Sequence, residues 1–211
     1  MHPSPLFQID DETLIKSMIS ASPFAMVAVN GADGPVVAML PMLLSADETA
    51  LIGHVAVKND ILACLEAGAV PATVIFQISE AYVSPSFYPS KVEHGRAVPT
   101  WNYEAIQVRG LLERVQDVQT LHATLEHLTD HMEADRPSRW QVSDAPQNYI
   151  DGLARGICGL HLTIKSIRCV RKLSQNKSDA DFAGVIAGLS SEPRHVSQAM
   201  AKDIQKLREA Q

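Results

Sequence analysis

The sequence has no apolar run long enough to cross a bilayer, and its first residues, MHPSPLFQ, lack the basic start and apolar stretch of a signal peptide. Its three cysteines, Cys64, Cys158 and Cys169, form no Cys-x-x-Cys pair. A few scattered thiols are typical of a reducing compartment, where disulfides are rare. We therefore expect a cytoplasmic protein with no membrane partner and no disulfide.

The motifs of several enzyme classes are also missing. There is no Gly-x-Ser-x-Gly elbow, no phosphate-loop glycine pattern and no dinucleotide-binding glycine fingerprint, which disfavours hydrolase and nucleotide-triphosphate functions. His127 and His131 have a spacing that could bind a metal, but no third ligand shares their face. We interpret them, with His122, as a polar helix stripe and predict no metal site. No residue is identified as catalytic.

The charge balance is acidic overall but uneven along the chain. The 24 acidic and 18 basic residues give a net charge of −6, which provides no general attraction to nucleic acid or anionic lipid. In contrast, the segment KSIRCVRKLSQNK at 165–177 carries five basic residues and no acidic one. This segment predicts a local anion-binding surface.

Periodicity predicts a mainly β protein with added helices, of the α+β class. Short β-branched runs separated by turn residues predict strands at 24–29, 36–44, 51–57 and 72–77, and alternation predicts two longer strands at 102–115 and 157–170. Apolar residues at helical spacing predict helices at 10–19, 117–134, 145–153, 180–189 and 193–208, the last one capped by Ser191. This pattern favours a closed or split β-barrel decorated by helices.

Two features suggest a ligand site. The stretch AYVSPSFYPSKVEHGRAVPTWNY at 81–103 combines aromatic rings, hydroxyls and cations, which is unusual for a connector, so we interpret it as an ordered binding loop. His54 and Lys58 lead into a helix that Asn59 or Asp60 can cap and that ends near Gly68, a helix N-terminus suited to a phosphate. From composition alone, a flat aromatic phosphate ligand and a purely structural role for these residues are equally supported.

Five motifs, in this order, closely resemble the PaiB-type FMN-binding negative transcriptional regulators. They are HVAVKND at 54–60, AYVSPSFYPSK at 81–91, VPTWNYEAIQVRG at 98–110, WQVSDAPQNYI at 140–150 and RKLSQNKSDADFAGVI at 171–186. The likeness extends from about residue 6 to residue 189. Two positions depart from the family pattern: Phe87 stands where Trp is more usual, and Gln107 where His is common.

The resemblance implies an FMN-binding split β-barrel, as in pyridoxamine-phosphate oxidases, and a homodimer with the flavin site at the subunit interface. The barrel domain would occupy residues 1–175, with a C-terminal helical tail at 176–211 packed on the same domain. The residues expected at the FMN site are His54, Lys58, Asn59, Ser84, Ser86, Tyr88, Lys91, Thr100, Trp101, Asn102, Lys172, Ser174 and Gln175.

Three functions follow from this resemblance. The first is a regulator for which FMN is a sensed or structural ligand; DNA is a partner that the family name implies, but the charge balance does not support it. The second is a flavin-dependent oxidoreductase acting on an unknown small molecule, in which the redox chemistry belongs to the cofactor. The third and weaker one is haem binding, with His54 or His161 as the ligand.

Overall fold

A computed structural model of the protein describes Met1 and residues 4–209. This part of the chain is a mixed α+β structure with one seven-stranded sheet, as the sequence predicts. None of the helices within it has the length and hydrophobicity that a bilayer crossing needs. In chain order, the strands and α-helices are β1 (Gln8–Ile9), α1 (Glu12–Ala21), β2 (Phe24–Gly31), β3 (Gly34–Leu44), β4 (Ala50–Ala56), β5 (Val70–Val83), α2 (Ser90–His94), β6 (Thr100–Val115), α3 (Val118–Glu133), α4 (Gln147–Ala154), β7 (Ile157–Lys172), α5 (Asp179–Ser191) and α6 (His195–Glu209).

The strands follow the order β1-β7-β4-β3-β2-β5-β6, and β6 pairs with β7 as well. Six strands therefore form a closed ring, to which the short β1 adds an outer pairing. The neighbours β2–β3, β2–β5, β3–β4, β4–β7 and β1–β7 are all antiparallel. Closure explains why a chain with so many strands leaves so few sheet edges open to other chains.

Residues alternate between the two faces of β2. Ala25, Val27 and Val29 are buried, whereas Phe24 and Met26 point to solvent. The β2–β3 hairpin turns through Gly34, whose φ of +130° is a conformation that residues with a Cβ rarely adopt. The alternation places one face of the hairpin in the core and leaves an apolar face exposed.

Contacts divide the described chain into two compact units. The first, here called the helical unit, comprises Met1–Ile15, Gln77–Ile106 and Arg168–Gln211. The second, here called the barrel unit, comprises Lys16–Phe76 and Gln107–Ile167. The division at residue 175 that the sequence suggested stays a prediction.

In the barrel unit, α3 is attached to backbone by two of its histidines. The His127 ring lies 3.1 Å from the carbonyl oxygen of Leu44, and the His131 ring lies 2.7 Å from that of Ser20. Asp117 caps the helix by accepting a hydrogen bond from the Thr120 amide. These two histidines are thus more than a solvated stripe, because they fix α3 on its neighbours.

In the helical unit, α5 and α6 pack on the chain that precedes them. Leu173, Val185, Leu189, Met200 and Ile204 are fully buried in one apolar cluster. The prediction that Ser191 caps the last helix is wrong, because α5 continues through Ser191 and α6 begins only at His195. The residue that caps a helix here is Ser178, whose side chain accepts from the Asp181 amide at the start of α5.

The stretch at 81–103 is more regular than the sequence indicated. β5 continues to Val83 and β6 begins at Thr100, so only the segment between them is irregular, and it holds a 3-10 turn at Pro85–Phe87 and the short α2. Ser79 and Glu80 interrupt the apolar pattern of β5. The sequence therefore predicted that this strand ends at residue 77, whereas it continues to Val83. Pairing within the sheet overrides this local signal.

Candidate functional site

A pocket of about 160 Å³ opens in the helical unit between the start of β6 and the end of β7. Its walls carry two ammonium groups, two hydroxyls and two amides, and no carboxylate from the part of the chain that the structure describes. The lining residues are Val98, Pro99, Thr100, Asn102, Lys172, Ser174, Asn176 and Lys177. We call this group the lysine pocket. Cations and uncharged donors without acids are the chemistry that receives an anion.

The ammonium of Lys172 is held in place. Its Nζ donates to the Thr100 hydroxyl at 2.6 Å and to the Trp101 carbonyl at 2.5 Å. Burial, followed by the neighbouring charge of Lys177, lowers the pKa of Lys172 below its ordinary value. Two like charges kept close together favour the arrival of an anion, which relieves their repulsion.

The chain turns sharply after Lys172, at Ser174. This serine has a φ of +66°, a left-handed conformation that is strained for a residue with a side chain. The buried Asn102 amide donates to its hydroxyl at 2.9 Å. The Gln175 side chain fixes the same turn, because it accepts from the Leu173 amide at 2.7 Å and donates to the Arg171 carbonyl at 2.5 Å.

An ion pair between β6 and β7 lies beside the pocket. The guanidinium of Arg171 contacts the buried carboxylate of Glu104, which also accepts a hydrogen bond of 2.8 Å from Ser79. On β6, therefore, Thr100 and Glu104 contact the last residues of β7, and Asn102 contacts the turn that follows it. Glu104 was not among the predicted site residues, although an acid two residues after Asn102 on an alternating strand shares its face.

The aromatic residues of the predicted site lie in two different environments. Trp101 is 51% exposed and meets Tyr82 edge to face, with ring centres 5.9 Å apart. Tyr88 is only 2% exposed, and Lys177 covers its ring at 4.5 Å from the centre. Its buried hydroxyl has no hydrogen-bond partner among the described residues. The Trp101 ring is thus half-exposed and lies on the opposite face of β6 from Thr100 and Asn102, whereas Tyr88 belongs to the apolar cluster.

Three other predicted residues follow on the irregular segment. The hydroxyls of Ser84 and Ser86 lie 2.7 Å apart, and Ser84 also caps the turn that follows by accepting from the Ser86 amide. Lys91 is exposed on α2. Phe87 lies against α5, where its ring packs on Gly188. These hydroxyls serve the local turn, and they do not line the lysine pocket.

The remaining predicted residues, His54, Lys58 and Asn59, belong to the barrel unit. Asn59 accepts from the Ile61 amide at 3.1 Å and so caps the following segment, as predicted. That segment is a six-residue 3-10 helix at Asp60–Leu65, shorter than the predicted helix ending at Gly68, so its dipole is weak. Burial lowers the pKa of His54, and its Nδ1 has no partner among the described residues.

The structure thus brings together one part of the predicted site. Thr100, Asn102, Lys172 and Ser174 line one pocket, with Trp101 and Gln175 attached to it. The chemistry of the donors fits the phosphate group of FMN: two ammonium groups, two hydroxyls and two amides surround a volume of about 160 Å³, which suits a phosphate and leaves the ring system outside the pocket. Lys177, which sequence reasoning left out of the site, joins the pocket because of the turn at Ser174.

The closed ring of strands with added helices is the flavin-binding split-barrel architecture. Among solved structures, the chain is similar to the FAD and heme binding protein from Mycobacterium smegmatis, with a TM-score of 0.61 and 17% identity, over 83% of this chain and 78% of that one. At this identity the likeness establishes the fold alone. The family model described as "Putative FMN-binding domain" matches residues 1–166, and the chain belongs to this family. It is an FMN-binding split-barrel protein.

Two curated relatives extend the comparison. An uncharacterized protein of Aspergillus fumigatus is 34% identical over 140 residues, which cover 59% of this chain. The alignment spans 54% of that relative, or about half its length. The protease synthase and sporulation protein PAI 2 of Bacillus subtilis is 27% identical over 201 residues, covering 93% of this chain and 92% of the relative. This second match includes the Lys172–Lys177 region, which the family model does not reach.

Proposed function

We propose that this chain is a regulator of the PaiB type that senses FMN or uses it as a structural ligand in the cytoplasm. The observation that carries the proposal is the lysine pocket, in which Lys172 and Lys177 stand without a lining carboxylate. The similarity to the Bacillus subtilis protein, whose name refers to protease synthesis and sporulation, supports a regulatory role.

In this proposal each residue of the pocket has its own role in binding FMN. Lys172 and Lys177 bind the phosphate, the Thr100 hydroxyl and the Trp101 carbonyl orient the Lys172 ammonium, and the ring system extends out of the pocket. Asn102 keeps the turn at Ser174 in the shape that the pocket needs. FMN itself supplies reversible redox chemistry when bound, and the chain's contribution is binding and orientation. No residue is assigned a catalytic role.

Regulation through direct DNA contact is not supported by the surface of α6. Lys206 lies 3.9 Å from Asp203, and Arg208 lies 3.5 Å from Asp179, so acids neutralise part of its positive charge. The net charge of −6 adds a general repulsion from nucleic acid. We therefore propose indirect regulation and assign no DNA-contacting residue.

The protein is further proposed to form a homodimer with the flavin site at the subunit interface. Association is supported by the outer face of the β2–β3 hairpin, where Phe24, Met26, Val37 and Met39 are all exposed. Met26 pairs directly with Met39, so the exposed side chains are contiguous. Contiguous apolar surface of this kind marks association surfaces. The place of the flavin at the interface rests on the family resemblance alone. Met39→Glu would place a charge at its centre, and light scattering should report a lighter species; an unchanged dimer would exclude this face.

The visible spectrum of the purified protein tests the cofactor directly. Bands of oxidised flavin, present on isolation or after FMN is added, are the expected result. A protein that stays colourless and takes up no FMN would contradict the proposal, and a Soret band would indicate haem. Bleaching of bound FMN by NADH or NADPH would favour the oxidoreductase alternative, whereas FMN-dependent retention of a specific DNA in a mobility-shift assay would contradict indirect regulation.

A further inference from the structure

A second pocket, of about 470 Å³, lies within the barrel unit where β6 ends, α3 begins and α4 leads back to β7. We propose that this cavity, here called the arginine pocket, binds a small organic monocarboxylate with an apolar body. None of the residues predicted to hold FMN lines it. The proposal therefore goes beyond the flavin function and adds a separate effector site.

Two arginines in this pocket lack a carboxylate partner. Neither Arg114 nor Arg155 forms an ion pair with any residue in the described part of the chain. The Nε of Arg114 is moreover buried, and no acceptor among residues 1 and 4–209 forms a hydrogen bond with it. A buried donor without an acceptor destabilises the protein by the water contacts it has lost, so a ligand oxygen at this position is favoured.

The two acids of the pocket already have partners of their own. Asp117 accepts hydrogen bonds from the amide and the hydroxyl of Thr120, both at 2.7 Å, in its role as the cap of α3. Asp151 accepts from the Gln147 side chain at 2.8 Å and lies 3.6 Å from the His122 ring. The arginines are therefore the groups left to meet a ligand.

The charges also select among anions. Two arginines and two aspartates line the cavity, so their formal charges cancel when His122 is neutral. A dianion such as a phosphate would gain little electrostatic binding energy from this balance, because both aspartates would repel it. A single carboxylate carries one charge and matches the planar fork of a guanidinium with two parallel hydrogen bonds.

The rest of the wall is mostly apolar. Val57, Leu62, Val118, Leu121 and Ile157 line the cavity on several sides. The volume lies within the range of small-molecule sites, roughly 300–1,000 Å³. An apolar body such as a phenyl group or a short alkyl chain would bury its surface there, while its carboxylate faced Arg114. The occupant is thus amphipathic and singly charged.

Cys158 provides a direct readout, because this half-buried thiol lines the pocket. We would alkylate the full-length protein with iodoacetamide and follow Cys158 by mass spectrometry in the presence of benzoate, phenylacetate or octanoate. Cys64, half-buried elsewhere in the barrel unit, is the internal control. At least one carboxylate should slow modification of Cys158 and leave Cys64 unchanged, while the corresponding neutral amides have no effect.

Arginine variants connect the protection to the proposed contact. Arg114→Gln and, separately, Arg155→Gln should each raise the carboxylate concentration needed for protection by about tenfold or more. Arg155 is exposed, so its substitution leaves the fold intact and keeps the test valid if Arg114→Gln unfolds. Arg139→Gln, an exposed arginine outside the pocket, should behave as the wild type.

Several outcomes would overturn the proposal. The first is a rate of Cys158 alkylation that no carboxylate changes. The second is protection of Cys158 by the amides or by inorganic phosphate that equals protection by the acids. The third is protection by the carboxylates that is unchanged in both Arg114→Gln and Arg155→Gln. Protection by FMN that is lost in Arg114→Gln would also overturn it, because the cavity would then be the flavin site.

Discussion

The side chains of Asn102 and Ser174 are buried against each other, with the Asn102 amide 2.9 Å from the Ser174 hydroxyl although 72 residues separate them in the chain. Ser174 has a φ of +66°. The hydrogen bond thus compensates for backbone strain at the point where Lys172 and Lys177 are brought to one pocket.

Asn102→Ala should therefore destabilise the protein. It leaves the Ser174 hydroxyl buried without a partner, which typically costs ~1–3 kcal/mol. Urea unfolding measures the loss. In a Ser174→Gly background the strain and the hydroxyl are both absent, so Asn102→Ala should cost clearly less. Equal costs in the two backgrounds would show that the two side chains are not coupled.

Two glycines of α5 allow the irregular segment to approach closely. A Cβ on Gly184 would overlap the carbonyl oxygen of Phe87 and lie 2.8 Å from Pro89 Cδ. Gly184→Ala should therefore destabilise the protein by ~1–3 kcal/mol through overpacking, although alanine favours a helix. Thermal unfolding and urea titration check this.

The control for that substitution is Gly152→Ala in α4. Its new methyl group would have Arg155 Nη2, at 3.9 Å, as its nearest neighbour. Here only the gain in helix propensity counts, about 1 kcal/mol at most, so stability should stay the same or rise. Similar losses at both glycines would mean that the contact of α5 with Phe87 is not the cause.

His54 should make stability depend on pH. Burial lowers its pKa below the ordinary value of 6.5, so the unfolded chain binds a proton more readily than the folded one. Its contribution to stability is complete above pH 6.5 and is lost as the pH falls from there towards the lower pKa of the folded state.

Urea unfolding at a series of pH values in this window measures the effect. The wild type should lose stability more steeply on acidification than His54→Gln, which cannot take up the proton. Parallel curves for the two proteins would show that His54 titrates alike in the folded and unfolded chains. The other histidines are common to both proteins and cancel in the comparison.

The fold could be predicted because alternation and turn residues are local signals. The hairpin of β2 and β3, the long strand β6 and the capped helix α3 were all predicted within a few residues. The pattern favoured a closed or split barrel, but the pairing of β6 with β7 that closes the ring was not derivable in this way, since it joins distant segments. The close approach at Gly110, whose Cβ would overlap the Thr163 carbonyl, is visible only once that pairing is known.

The candidate site was predictable in part for the same reason. The residue types of Thr100, Asn102, Lys172 and Ser174 indicated an anion site, but the pairing that joins them is long-range. Composition could not distinguish the exposed ring of Trp101 from the buried ring of Tyr88. Nor could it show the left-handed turn at Ser174, which a non-glycine residue rarely adopts and which aligns Lys177 with the pocket.

The central claim is that the lysine pocket binds the phosphate group of FMN, and fluorescence titration of FMN into the full-length protein tests it most directly. Lys172→Met should weaken binding by about tenfold or more, because a charged hydrogen bond contributes ~1.5–3 kcal/mol. Lys165→Met, which removes an exposed lysine of the same strand, should leave the affinity unchanged. Lys58→Ala removes the ammonium that the family resemblance implies at the FMN site, so it should weaken FMN binding as well. Equal FMN affinity in wild type and Lys172→Met would contradict the account.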